Sequence, residues 1–515
     1  VITLEIAAEP VKGRAPGYLR GSGRLPTAAA NAVILEQHYL ACLAQASYFV
    51  CDERTKTAVV VDPRRDVDLY VERARELGAT IRFVLLTHFH ADFAAGHLEL
   101  ARRTGAVICL GSVARPAFEH RAFGDGEELV LGDVRIRCLH TPGHTPESVS
   151  YLVFDDAHSA TEPRRAEPHR AEPHSVMTGD TLFVGDVGRP DLLTSIGVTA
   201  EELASRLYDS LHTKLLTLPD STRVLPGHGP GSMCGRALGN ETTSTIGKER
   251  ATNWALAPQS REAFVRELTA GMPCAPAYFA FDASYNQGAH DTLEAVIERA
   301  RAPLGAERIL ALRASGTQIL DVRTSDEFAR GHLSGSINAG LDGKFATWAG
   351  SVLDGRRDIA IVAPRGQELE AATRLGRIGF DRIVGHLAGG AESLATRTDL
   401  AHTTRYDPRE LPARLARGNI VLVDVRAASE HDTCRVAGAK LVPLPALTNR
   451  LAELPRDTEL CVICAGGYRS SVAASHLRAH GFTNVTDVRG GMAAVEKNPS
   501  GLPLERAPVP TPSSC

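Results

Sequence analysis

The chain has 515 residues, 43% of them hydrophobic and 23% charged, with 57 basic against 61 acidic side chains. At roughly 150 residues per domain this length suggests about three domains of ordinary globular composition. The net charge of −4 argues against nucleic-acid binding and against a basic membrane-docking patch, and no apolar run approaches the ~18 residues that cross a bilayer. Ten cysteines are spread along the chain, the usage of a reducing compartment, so a cytoplasmic protein is expected.

Residues 1–32 are rich in Gly, Pro, Arg and Ala, lack an apolar signal core, and read as a tail. Order is expected from Val33. Ser47 to Cys51 and Thr57 to Asp62 read as strands around the charged turn 52–56. Val67 to Leu77 has helical spacing, with Gly78 placed to end it. The apolar run Phe83 to Leu86 reads as a buried strand and is followed by His88, His90 and Asp92, each two apart. In an extended segment that period puts all three on one face, which points to a metal site; the alternative is a pair of hydrogen-bonded, partly buried histidines. A helix is expected at Leu98 to Arg103, a strand at Val107 to Leu110, and a hairpin over Glu128 to Cys138.

His140-Thr-Pro-Gly-His144 forces a turn with His144 at its tip, before the strand Val149 to Phe154. Residues 155–175 contain near-copies of a Glu-Pro-X-Arg-Ala unit and read as an inserted, mobile surface loop whose His169 and His174 are solvated. Asp180 follows Thr178-Gly179 at the end of an apolar run, Gly188-Arg189-Pro190-Asp191 comes next, and His228 lies in the glycine turn Pro226-Gly-His-Gly229.

These four motifs, in this order, resemble the metallo-β-lactamase superfamily over residues 33–280. The resemblance implies an αββα sandwich with metal at one sheet edge. Two-metal hydrolases of that superfamily carry histidine directly after the motif aspartate, where this chain has Phe93. Phenylalanine cannot coordinate, so one metal ion is favoured. Two histidines and a carboxylate with open positions suit Fe(II) and oxygen chemistry, and the segment looks like the persulfide dioxygenases of the superfamily. That likeness implies His88, His144 and Asp180 as ligands of one Fe(II). His90, Asp92 and His228 would orient those ligands or water. Glutathione or another thiol would carry the persulfide. Arg189 is a candidate for binding that anionic carrier or for an ion pair with Asp191 or Asp186, and Cys234 is a possible sulfur carrier near the iron. The alternative is a zinc thioester hydrolase of the glyoxalase II type with a sulfurtransferase tail.

Two later segments resemble each other at an offset of about a hundred residues, too long for a solenoid repeat. Gln318 to Arg323 pairs with Val421 to Arg426, Arg377 to Phe380 with Ala479 to Phe482, and Leu387 to Gly390 with Val488 to Gly491. Each alternates strands with helical stretches, the pattern of a parallel α/β fold, and both resemble rhodanese domains, expected at 300–400 and 405–505. The first copy has no cysteine between Cys274 and Cys434 and is assigned a structural or docking role. The second carries Cys464-Ala-Gly-Gly-Tyr-Arg469-Ser470 after an apolar strand. Backbone N–H groups, a helix N-terminus with Ser470 as its cap, and Arg469 would stabilise a thiolate or a bound persulfide there. Cys461, inside the strand, fits an inert core thiol. A cysteine phosphatase loop has one more residue between Cys and Arg, which argues against that reading. Residues 506–515 read as a tail.

The expected architecture is therefore α/β multidomain: an αββα metallo-β-lactamase sandwich followed by two rhodanese-like parallel α/β domains. The resemblance implies oxidation of a low-molecular-weight persulfide by O2 to sulfite, with Cys464 forming or using thiosulfate in sulfide detoxification. Small molecules, neither nucleic acid nor membrane, are the expected partners, in a homo-oligomer.

Overall fold

The computed structural model describes residues 22–24, 33–159, 172–192, 197–236, 238–497 and 501–507. Most of both expected tails, and the repeated units at 160–171, lie outside these residues.

Residues 22–24 and 33–245 form two facing sheets. The first has seven strands in sequence order, from Ser22–Arg24 through Val33–Leu40, Gln45–Asp52, Thr57–Val61, Thr80–Leu85 and Val107–Gly111 to Arg121–Phe123. The second has six, from Glu128–Val130 to Ser244–Thr245, in the same consecutive order. Alternate apolar residues of both, among them Val50, Val59, Leu85, Ile136, Tyr151 and Met177, pack between the layers. Thr57–Val61 and Thr80–Leu85 run parallel, so the chain between them must cross over; helix Asp68–Leu77 does so and stops at Gly78 in the left-handed conformation, φ 61°. Helices on the outer faces complete an αββα sandwich.

The two C-terminal domains repeat one topology. Each has a five-stranded parallel sheet. In the first the order is Pro303–Leu304, Ile383–Leu387, Ile359–Val362, Gln318–Asp321, Ile337–Asn338. In the second it is Arg405–Tyr406, Val485–Val488, Glu459–Ile463, Ile420–Asp424, Lys440–Leu441. In each sheet the fourth strand in this order ends in an aspartate that an arginine two residues on folds back to hold: Arg323 on Asp321, and Arg426 on Asp424 at 2.6 Å. Among the described residues no helix is long and apolar enough to cross a membrane.

One hydrophobic cluster runs through all three domains, from Leu86 and Phe93 through Tyr278 and Phe345 to Val462 and Cys464. Charge pairs seal the same junction. Arg65, 1% exposed, gives Nη2 to Asp381 Oδ2 at 2.7 Å and to the Asp291 carbonyl at 2.7 Å. Arg377 reaches back to Asp66 at 3.0 Å. Removing one partner of a buried pair strands the other charge, at a cost of about 3–5 kcal/mol. Asp381→Ala is therefore expected to lower the urea midpoint strongly. Asp133→Ala, which breaks the exposed pair with Arg54, should leave the midpoint nearly unchanged. Equal effects of the two substitutions would show that the Arg65 pair does not hold the domains together.

Candidate metal centre and cysteine loop

The strand that leads to His88 ends at Leu85 and the chain then turns. His88, His90 and Asp92 therefore do not share one face of an extended segment, as the alternation suggested, but go to three different partners. The turn is fixed by Asp62, which sits at φ 49°, unusual for a residue with a Cβ. Its carboxylate accepts from the Thr87 N–H and from the Thr87 hydroxyl, both at 2.8 Å. With that hydroxyl proton committed, Thr87 Oγ1 is left to accept from His88 Nδ1 at 2.9 Å, and the lone pair of His88 Nε2 faces inward. His144 Nδ1 donates to the Arg189 carbonyl at 2.8 Å, which turns its Nε2 inward by the same logic.

Both imidazoles converge on Asp180. His144 Nε2 lies 3.5 Å and His88 Nε2 3.8 Å from Asp180 Oδ2, and the three ligand atoms fall within 4.8 Å of one another. Asp180 Oδ2 is buried and has no hydrogen-bond partner. Its other oxygen accepts from His228 Nδ1 at 2.8 Å, and His228 Nε2 lies 2.8 Å from Asp92 Oδ2. Burial alone would raise the Asp180 carboxyl, but the charge and hydrogen bond of His228 hold it far below the usual carboxylate range. Burial works against charging His228, and the carboxylates of Asp180 and Asp92 overcome it, so the ring titrates well above its usual value. Burial keeps His88 and His144 neutral, the state a metal needs. Two neutral imidazole nitrogens and one bare, buried carboxylate oxygen fit a divalent ion.

His90 stays outside this group. Its Nε2 is 3.1 Å from Asp62 Oδ1, and its ring lies between those of His88 and Phe93 at 4.2 and 4.3 Å. Cys234 joins Asp92 and His228 in a second buried group of possible ligands. Burial, then Asp92 and Asp180, push its thiol well above the ordinary range, so it is held as a thiol. Arg189 takes the ion-pair alternative. It is buried, clasps Asp191 at 2.7 Å through both Nε and Nη2, and spends further donors on the Met233 and Pro273 carbonyls. No donor fork is left facing a carrier anion.

Sequence reasoning missed Asn286. Its Nδ2 donates to the carbonyls of His90 and Phe93, each at 2.7 Å, and its Oδ1 accepts from Ala95 N at 2.8 Å. One buried amide thus clamps the whole His–X–His–X–Asp turn. Nothing marks it locally, because it lies 196 residues from His90.

In the last domain Cys464 follows the strand Glu459–Ile463, is buried, and accepts from the Gly467 N–H at 3.1 Å. Gly467 has φ 89°, and a Cβ there would meet the Gly490 nitrogen at 2.8 Å, so glycine is required. The helix begins at Tyr468, one turn earlier than expected, and Ser470 does not cap it. Its hydroxyl accepts from Cys464 Sγ at 3.5 Å and donates to Asp487 Oδ2 at 3.3 Å. Arg469 gives both terminal nitrogens to Glu430 at 2.7 Å. Burial opposes ionisation of Glu430, yet these bonds hold its carboxyl below the usual range.

The other copy shows what was lost. The Cys464 carbonyl accepts from Met492 N at 2.7 Å, and the Ala363 carbonyl accepts from Ala391 N at 2.7 Å. Ala363 therefore occupies the cysteine's place, with no side chain to carry sulfur.

Residues 40–157 match the family pattern described as Metallo-beta-lactamase superfamily, and residues 306–396 and 407–498 each match Rhodanese-like domain. A solved structure from Staphylococcus aureus, described as a metallo-beta-lactamase, aligns at 31% identity and a TM-score of 0.60, covering 70% of this chain and 99% of that one. A probable metallo-hydrolase of Bacillus subtilis, YqgX, is 32% identical over 209 residues, 36% of this chain and 85% of its own length. A chicken hydroxyacylglutathione hydrolase-like protein is 34% identical over 199 residues, 38% of this chain. The match spans 59% of that protein and 57% of its human counterpart.

Replacing Asn286 by alanine leaves three buried backbone groups unpaired, each costing about 1–3 kcal/mol. Asn286→Ala is expected to lose at least half its bound metal in elemental analysis while Cys464 reacts normally with alkylating agents. Full metal retention would show that the clamp does not position the ligands.

Proposed function

The chain belongs to the metallo-β-lactamase superfamily and continues into two rhodanese-like domains; on that premise we propose that it is a persulfide dioxygenase joined to a sulfurtransferase. The observation that carries this reading is the divided carboxylate of Asp180. One oxygen is taken by His228, which leaves a single bare oxygen and two imidazoles for one ion. Phe93 stands where a second ion's imidazole would be. His88, His144 and Asp180 would hold iron(II), whose contribution is to bring dioxygen and a persulfide thiolate into reaction. The remaining work falls to the protein. Thr87 and the Arg189 carbonyl fix the two ring orientations, His228 keeps Asp180 ionised, and Phe93 and the surrounding core exclude bulk water. The product would be sulfite, the carrier glutathione or a related thiol.

Cys464 would carry out the second reaction. Its thiolate attacks the outer sulfur of thiosulfate, the S–S bond breaks, and sulfite leaves with the bonding pair, so that a cysteine persulfide remains for an acceptor or for the reverse direction. The Gly467 N–H and the N-terminus of helix Tyr468–Ala479 face the developing charge.

A second reading, a zinc thioester hydrolase with a sulfurtransferase tail, is favoured by the similarity to the vertebrate hydroxyacylglutathione hydrolase-like proteins. Oxygen uptake separates the two. After anaerobic loading with Fe2+, glutathione persulfide is expected to drive O2 consumption, and His144→Ala to reduce it by at least a hundredfold. An iron-loaded enzyme that ignores O2, together with a zinc-loaded enzyme that cleaves a glutathione thioester, would overturn the reading. Cys464→Ser should abolish sulfur transfer from thiosulfate to cyanide and leave O2 uptake intact.

A further inference from the structure

Behind Cys464 a chain of hydrogen bonds runs into the last sheet. Asp487 lies in strand Val485–Val488 and is fully buried. Arg405, whose side chain is buried as well, donates to it through Nε, at 3.1 Å to Oδ1, and through Nη2, at 2.9 Å to Oδ2. An ionised carboxylate clasped in this way only accepts. The Ser470 hydroxyl therefore spends its proton on Asp487 Oδ2 at 3.3 Å, and its oxygen is left to accept from the Cys464 thiol at 3.5 Å. Thiol and hydroxyl thus point their protons one way, from the sulfur toward Asp487.

Both ends of this chain are fixed from the cysteine-less domain. Arg405 Nη1 donates to the Ser325 hydroxyl and to Asp326 Oδ1, each at 2.7 Å, while its Nη2 also holds the Gly467 carbonyl at 3.0 Å. The helix that carries Ser470 is pinned by its neighbours. The Ser471 hydroxyl donates to Asn338 Oδ1 at 2.7 Å, and Ser475 Oγ accepts from Asn338 N at 2.9 Å. The other charges nearby are matched or spent. Arg469 pairs with Glu430, and Asp424 with Arg426 and His431. Asp326 also meets Arg489, Arg478 gives Nη2 to the Val485 carbonyl, and Glu459 on the adjacent strand accepts from Tyr406 and Thr486. Among the described residues Asp487 is left as the carboxylate that bonds to Ser470. Burial lifts its carboxyl above the usual range against the pull of Arg405, which makes it the better base.

We propose that Ser470 and Asp487 form the proton relay of the Cys464 site: as the nucleophile forms, the thiol proton passes to Ser470 Oγ while the Ser470 hydroxyl proton passes to Asp487 Oδ2. This rests on the sulfurtransferase reading above. The thiolate attacks the outer sulfur of thiosulfate, the S–S bond breaks, and sulfite leaves with the bonding pair. When cyanide takes the outer sulfur as thiocyanate, the bonding pair returns to Cys464 and the proton on Asp487 goes back through Ser470. Ser470 touches the reacting sulfur and is a catalytic residue. Asp487 acts through it, and Arg405 is a positioning residue that ties the relay to the neighbouring domain.

The test follows the alkylation of Cys464 by iodoacetamide in the full-length enzyme across pH, read by mass spectrometry of the peptide that carries it. Ser470→Ala and Asp487→Asn interrupt the relay at different points. Both are expected to react about tenfold or more slowly than wild type near pH 6, with the gap closing by about pH 9.5, where the thiol ionises without a base beside it. Ser470→Thr, which keeps the hydroxyl, should recover most of the rate. A carboxylate that only repels the thiolate would make Asp487→Asn faster than wild type at low pH. A merely structural one would slow it by the same factor at every pH. Either pattern overturns the proposal. Transfer from thiosulfate to cyanide keeps the two levels apart. A wild type that alkylates with the expected profile but transfers no sulfur would sink the sulfurtransferase reading. One that transfers sulfur while both variants alkylate like it near pH 6 would sink only the relay.

Discussion

The structure of the metal-binding half depends on how the two oxygens of Asp180 are divided. A carboxylate buried this deeply, without compensation, would cost several kcal/mol. His228 supplies the compensation through one oxygen and is itself held charged between Asp180 and Asp92. The other oxygen is thereby kept ionised but unpartnered, facing two neutral imidazoles. A hydrogen-bonding residue in Phe93's place could engage the same groups and dissolve this asymmetry. The phenyl ring cannot, and it packs against His90 instead.

Everything around the site serves to keep donors and acceptors in that arrangement. Asp62 accepts a strained backbone conformation to hold Thr87, and Thr87 orients His88. Gly179, at φ 50°, brings Asp180 out of its strand in a place where a Cβ would collide with the Thr87 side chain 2.5 Å away. Asn286 pins the intervening turn from a helix that belongs to the connection with the next domain. The metal cluster is therefore supported by the domain junction, and the continuous core through Phe93, Tyr278 and Phe345 makes the three domains one packed unit.

Much of this was legible in the sequence because the chemistry sits in short turns after strands. His88, Asp180 and His228 each follow an apolar run and a Gly, Pro or Thr signal, His144 sits in a Pro-Gly turn, Cys464 ends an apolar run just before two glycines, and the order of the motifs carried the fold. The duplicated α/β domains were visible as paired segments a hundred residues apart. Local spacing failed where the partner is distant or where the backbone stops being extended. The alternation of His88, His90 and Asp92 implied one shared face, but the strand ends at Leu85 and only His88 enters the ligand group. Ser470 had the look of a helix cap, yet the helix starts earlier and the hydroxyl bonds to Cys464 and Asp487. Of the two readings open for Arg189, the structure takes the ion pair with Asp191, two residues away. Asn286 left no local signal, since its contacts lie far away in sequence and depend on tertiary packing alone.

The measurement that bears most directly on this account is the metal stoichiometry of the intact chain. Native mass spectrometry after loading with excess Fe(II), and separately with excess Zn(II), is expected to find one ion per chain in both cases, lost in His88→Ala. Two ions per chain, or one ion retained after His88 is removed, would contradict a single site built on the free oxygen of Asp180.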